Sequence, residues 1–156
     1  MKIFLYDSLS KLKKEFIPID PKKIRIYACG PTVYNYAHIG NARMSVVTDL
    51  LVNILKTKFH EVVFVSNITD VDDKIIEASI REKKPINEIT TKYHKIYNQD
   101  MKMLGVKKPD FQPKATEHIQ EMIAMIHRLL KNDCAYIEDN HVLFDVSKYE
   151  HYGCLS

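Results

Sequence analysis

Tyr27-Ala28-Cys29-Gly30-Pro31-Thr32-Val33-Tyr34-Asn35-Tyr36-Ala37-His38-Ile39-Gly40-Asn41-Ala42-Arg43 carries a short apolar strand through a glycine–proline turn into the start of a helix. Just upstream, Ile24-Arg25-Ile26-Tyr27-Ala28 reads as a half-buried strand. Downstream, Ala42, Val46, Leu50, Ile54 and Leu55 recur at helical spacing and predict a helix over 40–57 with those residues on its apolar face. The helix start falls between His38 and Asn41, so its unpaired N–H groups and positive dipole end lie beside the carboxyl edge of the strand, where anions bind best. Gly40 lets a ligand approach the backbone closely.

Working outward, Val62-Val63-Phe64-Val65-Ser66 is a second strand, and strand 24–29, helix 40–57 and strand 62–66 make a βαβ unit. Its near-continuous apolar strands suit a parallel sheet covered on both faces. A second helix is expected from about Val71, with Asp70 as its N-cap and Asp72 and Asp73 in its acidic first turn rather than in a metal cluster. A third runs from about Ile86 to Leu104, with Ile86, Ile89, Tyr93, Ile96, Tyr97, Met101 and Leu104 on one face and Gly105 as its stop. Residues 107–113 hold Pro109 and Pro113 and read as the clearest break, a segment boundary without a central strand. Thr116 is a candidate cap for a fourth helix to about Lys131, followed by a hairpin of 135–138 and 142–145 around Asp139-Asn140. Extended pieces at 3–6 and 14–19 flank the turn-prone Asp7-Ser8-Leu9-Ser10 and suggest an N-terminal strand pair.

Composition narrows the class. The 156 residues are 46% hydrophobic, enough for one ordinary core, and exclude a disordered chain. A net charge of +3 does not by itself announce nucleic-acid binding. No apolar run approaches the ~20 residues of a membrane span, and the chain is read as cytoplasmic without a membrane partner. Three scattered cysteines, Cys29, Cys134 and Cys154, do not form a disulfide framework and fit a reducing compartment.

His38-Ile39-Gly40-Asn41 resembles the "HIGH" signature of class I aminoacyl-tRNA synthetases, with Asn41 where the signature ends in histidine. Cys29-Gly30-Pro31-Thr32-Val33-Tyr34 resembles the cysteinyl-tRNA synthetase family, as do Asn67-Ile68-Thr69-Asp70-Val71-Asp72-Asp73-Lys74-Ile75-Ile76 and Lys114-Ala115-Thr116-Glu117-His118-Ile119 in the same order. The resemblance implies an α/β fold: residues 1–110 as the first half of a Rossmann-like catalytic domain with a parallel sheet, and 111–156 as the start of a connective insertion. It implies a cysteine–tRNA ligase that uses ATP with Mg²⁺ to make cysteinyl-adenylate and passes the cysteinyl group to the 3′ end of tRNA(Cys). The lysine-rich "KMSKS" loop of the family has no match in this sequence, so the chain is expected to be an inactive fragment. A natural short paralogue acting as an RNA-binding or interaction module is the alternative, together with a synthetase-like ligase that transfers cysteine to a small amine.

On its own terms His38 is either a helix cap or a phosphate donor. The resemblance assigns His38 and Asn41 to catalysis and His38, Gly40 and Asn41 to ATP. Gly30, Pro31, Thr32 and Thr69 are expected around the substrate's amino and carboxylate groups. Cys29 is either a small buried hydrophobe or, by resemblance, one ligand of a zinc ion whose other ligands lie outside this sequence; zinc bonds a thiolate strongly and a hydroxyl poorly. Lys74, Lys83-Lys84 and Lys107-Lys108 read as solvated lysines rather than phosphate contacts, with the tRNA acceptor end as the alternative partner for some of them.

Overall fold

The structure is a computed structural model that describes residues 2–155, and its order of elements is α/β. Strand β1 (Phe4–Asp7) and β2 (Leu12–Glu15) are followed by β3 (Lys23–Ala28), α1 (Ile39–Lys58), β4 (Glu61–Ser66), α2 (Asp73–Glu82) and α3 (Ile86–Met103). Then come α4 (Ile119–Lys131), β5 (Ala135–Glu138) and β6 (His141–Phe144). Two compact units divide these elements: Ile19–Glu117, and the described parts of Met1–Pro18 and His118–Ser156.

In the Ile19–Glu117 unit, β3 and β4 pair in parallel from Lys23↔Glu61 to Ala28↔Ser66, with α1 as the crossover between them. One core cluster gathers Val33, Ile68, Ala78, Ile89 and Tyr93, with Tyr34 and Ile96 packed against it. It joins the segments beyond both strand ends to α2 and α3, the part of the fold that carries the quoted stretch. Between α1 and α3 the buried hydroxyls of Ser45 and Tyr97 lie 2.9 Å apart, so each satisfies the other.

Four expectations are revised here. The buried positions of α1 are Ser45, Val52 and Leu55, whereas Leu50 is 58% exposed and Val46 is exposed too. The helix is apolar on more than one side, and packing chooses a stripe that spacing does not. The parallel pair is not covered on both faces among the described residues: Arg25 and Tyr27, which share a face of β3, are exposed, Tyr27 by 64%. Asp72, not Asp70, caps α2, accepting from the Lys74 N–H at 2.9 Å. Asp70 is buried and instead accepts from Thr116 N–H at 3.0 Å and from the Thr116 hydroxyl at 2.6 Å, so Thr116 is not the cap of α4; His118 holds that position without a side-chain bond.

The proline-bounded segment is no gap in the sheet. Phe111 and Lys114 form parallel bridges with Val65 and Ile68, which puts a third row beside β4. Ser66 N–H donates to the Phe111 carbonyl at 3.1 Å, and Ile68 N–H donates to the Pro113 carbonyl at 2.8 Å. Proline lacks a donor but keeps its acceptor, and the Asp110 N–H donates to the Phe64 carbonyl at 2.9 Å. The middle of the α3 stripe agrees with the structure, with Ile89, Tyr93, Tyr97 and Met101 buried and the chain turning at Gly105 with φ of 78°. Its two end members, Ile86 and Leu104, are exposed, because the helix termini there are left open among the described residues.

In the other unit, β1 and β2 are antiparallel, the turn between them tied by Asp7, which accepts from Leu9 N–H and from the Ser10 hydroxyl. The second strand ends at Glu15, earlier than the expected 14–19. The β5–β6 hairpin turns at Asp139 and Asn140, both with positive φ, the conformation two-residue hairpin loops demand.

Candidate active site

The quoted stretch is held in place from both strand ends. Gly30 N–H donates to Asn67 Oδ1 at 2.9 Å, and a Cβ on Gly30 would fall on the Asn67 carbonyl, so only glycine fits. Pairing continues past the strands through a parallel bridge between Thr32 and Thr69: Thr69 N–H donates to the Pro31 carbonyl at 3.0 Å and Val33 N–H to the Thr69 carbonyl at 3.1 Å. Edge-to-face packing of Tyr36 on Tyr93 of α3, with centroids 5.5 Å apart, holds the far end of the loop.

His38 then begins α1 as its N-cap, with extended backbone. Its Nδ1 accepts from Gly40 N–H at 3.0 Å, while Asn41 Oδ1 accepts from His38 N–H at 3.1 Å, a reciprocal capping box. An imidazole that accepts on Nδ1 carries its proton on Nε2, so this cap leaves His38 with an outward N–H donor while neutral. Asn41 in turn keeps its NH₂ donors. The room over Gly40 is taken by the ring itself: a Cβ there would sit 2.8 Å from His38 Cε1 and 2.9 Å from Nδ1. Capping and donating are therefore one arrangement, and the two readings of His38 do not compete.

Pro31, Thr32, His38 and Asn41 line a common cavity of about 200 Å³, with Tyr34, Tyr36, Lys74 and Tyr97 among its other walls. Drug-sized ligands occupy ~300–1,000 Å³, so this cavity suits part of a nucleotide rather than all of it. Cys29, Gly30, Gly40 and Thr69 do not line it. Thr69 joins through its bridge to Thr32 and Gly30 through Asn67, whereas Cys29 is exposed at the carboxyl end of β3. A larger cavity, about 590 Å³, lies among α1, β4 and α3 and involves none of the sequence-named site residues. Among the described residues no three His, Cys, Asp or Glu side chains gather to hold a metal, so Cys29 does not make a metal site by itself. Sequence reasoning missed Lys74 as a wall of the cavity, and nothing in the spacing of one lysine in a polar first turn marks it.

With that geometry in view, comparison with known families is decisive. The profile of the tRNA synthetases class I (C) catalytic domain matches residues 15–156. The chain belongs to that family. This class I (C) catalytic domain is 52% identical over 154 residues to the cysteine–tRNA ligase of Maricaulis maris (strain MCS10), covering 97% of this chain and 33% of that protein. It is 48% identical over 156 residues to the cysteine–tRNA ligases of Parvibaculum lavamentivorans (strain DS-1 / DSM 13023 / NCIMB 13966) and Xanthomonas oryzae pv. oryzae (strain MAFF 311018), covering 100% of this chain and 33% of each. The class I (C) chain thus spans about a third of the length of the relatives it matches. No helix among its described residues is long and apolar enough to cross a membrane.

Proposed function

We propose that the complete protein carrying this chain is a cytoplasmic cysteine–tRNA ligase, which activates cysteine with ATP and Mg²⁺ and transfers it to the 3′ end of tRNA(Cys). Residues 1–110 are then the first half of a Rossmann-like catalytic domain and 111–156 the start of a connective insertion, and the chain alone is inactive. The observation that carries this reading is the capping box of His38 and Asn41 at the wall of a cavity shared with Pro31 and Thr32.

In adenylate formation the substrate carboxylate attacks the α-phosphorus of ATP and pyrophosphate leaves, so charge gathers on phosphoryl oxygens. The protein contributes position and pre-aimed donors. His38 Nε2–H and the Asn41 amide supply the donors, fixed by the cap before ATP arrives, and Gly40 leaves room for the His38 ring to hold that position. Gly30, Pro31, Thr32 and Thr69 surround the amino and carboxylate groups of cysteine, through the strand-end pairing that also orders the loop. Cys29 contributes one thiolate toward a zinc ion whose other ligands lie elsewhere in the complete protein. Such an ion, when bound, selects a substrate thiol over a hydroxyl.

The test is cysteine-dependent exchange of pyrophosphate into ATP, followed by charging of tRNA(Cys), with the complete protein. Both activities are expected. Exchange without tRNA charging would identify a ligase with another acceptor, and absence of both would refute the reading.

A further inference from the structure

We propose that Lys74 is a phosphate-binding residue of this site: its ammonium holds the triphosphate of ATP beside His38 and Asn41. The inference rests on the ATP-dependent reading above and adds to it the cation of the cavity.

Lys74 sits in the first turn of α2, where its N–H donates to the Asp72 cap at 2.9 Å. Its side chain turns to the wall that His38 and Asn41 also line. There the Nζ lies 5.6 Å from the centroid of the Tyr34 ring, within cation–π range, so the aromatic face positions the ammonium without neutralising it. Asp73 is its sequence neighbour and Glu77 lies one turn on, yet Lys74 forms no ion pair with either; other lysines of the unit do pair, Lys23 with Glu61 and Lys92 with Glu82.

Charge complementarity names the occupant. Among the described residues no aspartate or glutamate lines this cavity, and Lys74 is its one lysine. His38 and Asn41 bring hydrogen bonds, whereas a triphosphate carries several negative charges that an unpaired, rotatable ammonium answers well. A solvated lysine would gain nothing from this wall. One that faces phosphate gains a charge-assisted bond in a partly enclosed space.

The experiment uses the complete protein with Lys74→Met, which keeps the length of the stem, and Lys74→Arg, which keeps the charge. ATP affinity without cysteine is measured by equilibrium dialysis, and the Michaelis constants for ATP and cysteine by pyrophosphate exchange. Lys74→Met should weaken ATP binding and raise the KM for ATP by about tenfold or more, the worth of one charge-assisted bond, with the KM for cysteine and the melting temperature unchanged. Lys74→Arg should recover most of the loss. Unchanged ATP affinity in Lys74→Met, or an equal rise in both KM values, overturns the proposal, as does an arginine variant no better than methionine. A wild-type protein that binds ATP but shows no exchange refutes only the activity reading, because the dialysis comparison still decides Lys74; a wild-type protein that binds no ATP overturns both.

Discussion

Replacing Gly40 by alanine should separate folding from catalysis. The new Cβ would lie 2.8 Å from His38 Cε1 and 2.9 Å from Nδ1, against ~3.5–4.0 Å for comfortable contact, so the ring must swing away and surrender the 3.0 Å bond from Gly40 N–H. Losing an N-cap side chain costs about 0.5–2 kcal/mol. Alanine in place of glycine within a helix returns about 1 kcal/mol. The terms offset, and the net change in stability should stay within about 1 kcal/mol. The imidazole, however, no longer presents Nε2–H to the cavity, and loss of one pre-aimed donor lowers rates by about 10²–10³. The assay pairs thermal melting with cysteine-dependent pyrophosphate exchange in the complete protein. His38→Asn is the companion variant, since asparagine caps well but offers no imidazole; it too should keep the fold and lose the rate. Exchange at the wild-type rate in Gly40→Ala would refute the coupling of cap and donor, and so would a melt showing a loss well beyond the cap term.

Removing the buried Asp70 carboxylate by Asp70→Ala deletes two bonds from Thr116 and should cost about 3 kcal/mol; Thr116→Val added to it should cost little more in chemical denaturation, because the partner is already gone. Burial first, and then the nearby Lys114 ammonium, hold the His94 imidazole below its ordinary pKa, and its Nε2 is buried without a partner. The folded chain therefore binds fewer protons than the unfolded one below about pH 6.5, and the stability due to the neutral ring is complete above that value and declines as pH falls toward the depressed folded pKa. Melting temperature should drop from about pH 7.5 to about pH 5.5 in the wild type and less so in His94→Met; equal slopes would contradict this. Tyr97→Phe leaves the Ser45 hydroxyl buried without a partner and should destabilise the α1–α3 contact by about 1 kcal/mol, read as faster amide exchange in both helices.

Local grammar carried the sequence reading furthest where one residue has one use. The turn at Asp139-Asn140 and the apolar stripe of α3 each follow from a local requirement that few residue types meet. Where two residues could serve, sequence alone did not decide. Asp70 and Asp72 are both good caps, and only Thr116, 46 residues after Asp70, decides between them. The exposed Val46 and Leu50 look like core on a helix that is apolar on several sides, because spacing names a stripe but not its partner. The strand-like row at 110–114 was hidden by counting prolines as barriers, although they remove donors and leave the carbonyls that β4 and its extension use. Within the site, the residues around His38 were legible through the helix start, while Lys74 was not, since its role depends on where Tyr34 and the loop fold back.

The central claim is that the carboxyl end of β3 and the start of α1 serve two different substrates, a thiol at Cys29 and a nucleotide at His38. Pyrophosphate exchange by the complete protein with Cys29→Ala and His38→Ala tests it most directly. The account predicts a split: Cys29→Ala raises the KM for cysteine, lowers bound zinc and spares the KM for ATP, whereas His38→Ala depresses exchange at saturating cysteine without changing zinc content. Variants that impair both substrates alike, or exchange that persists unchanged in either, would contradict it.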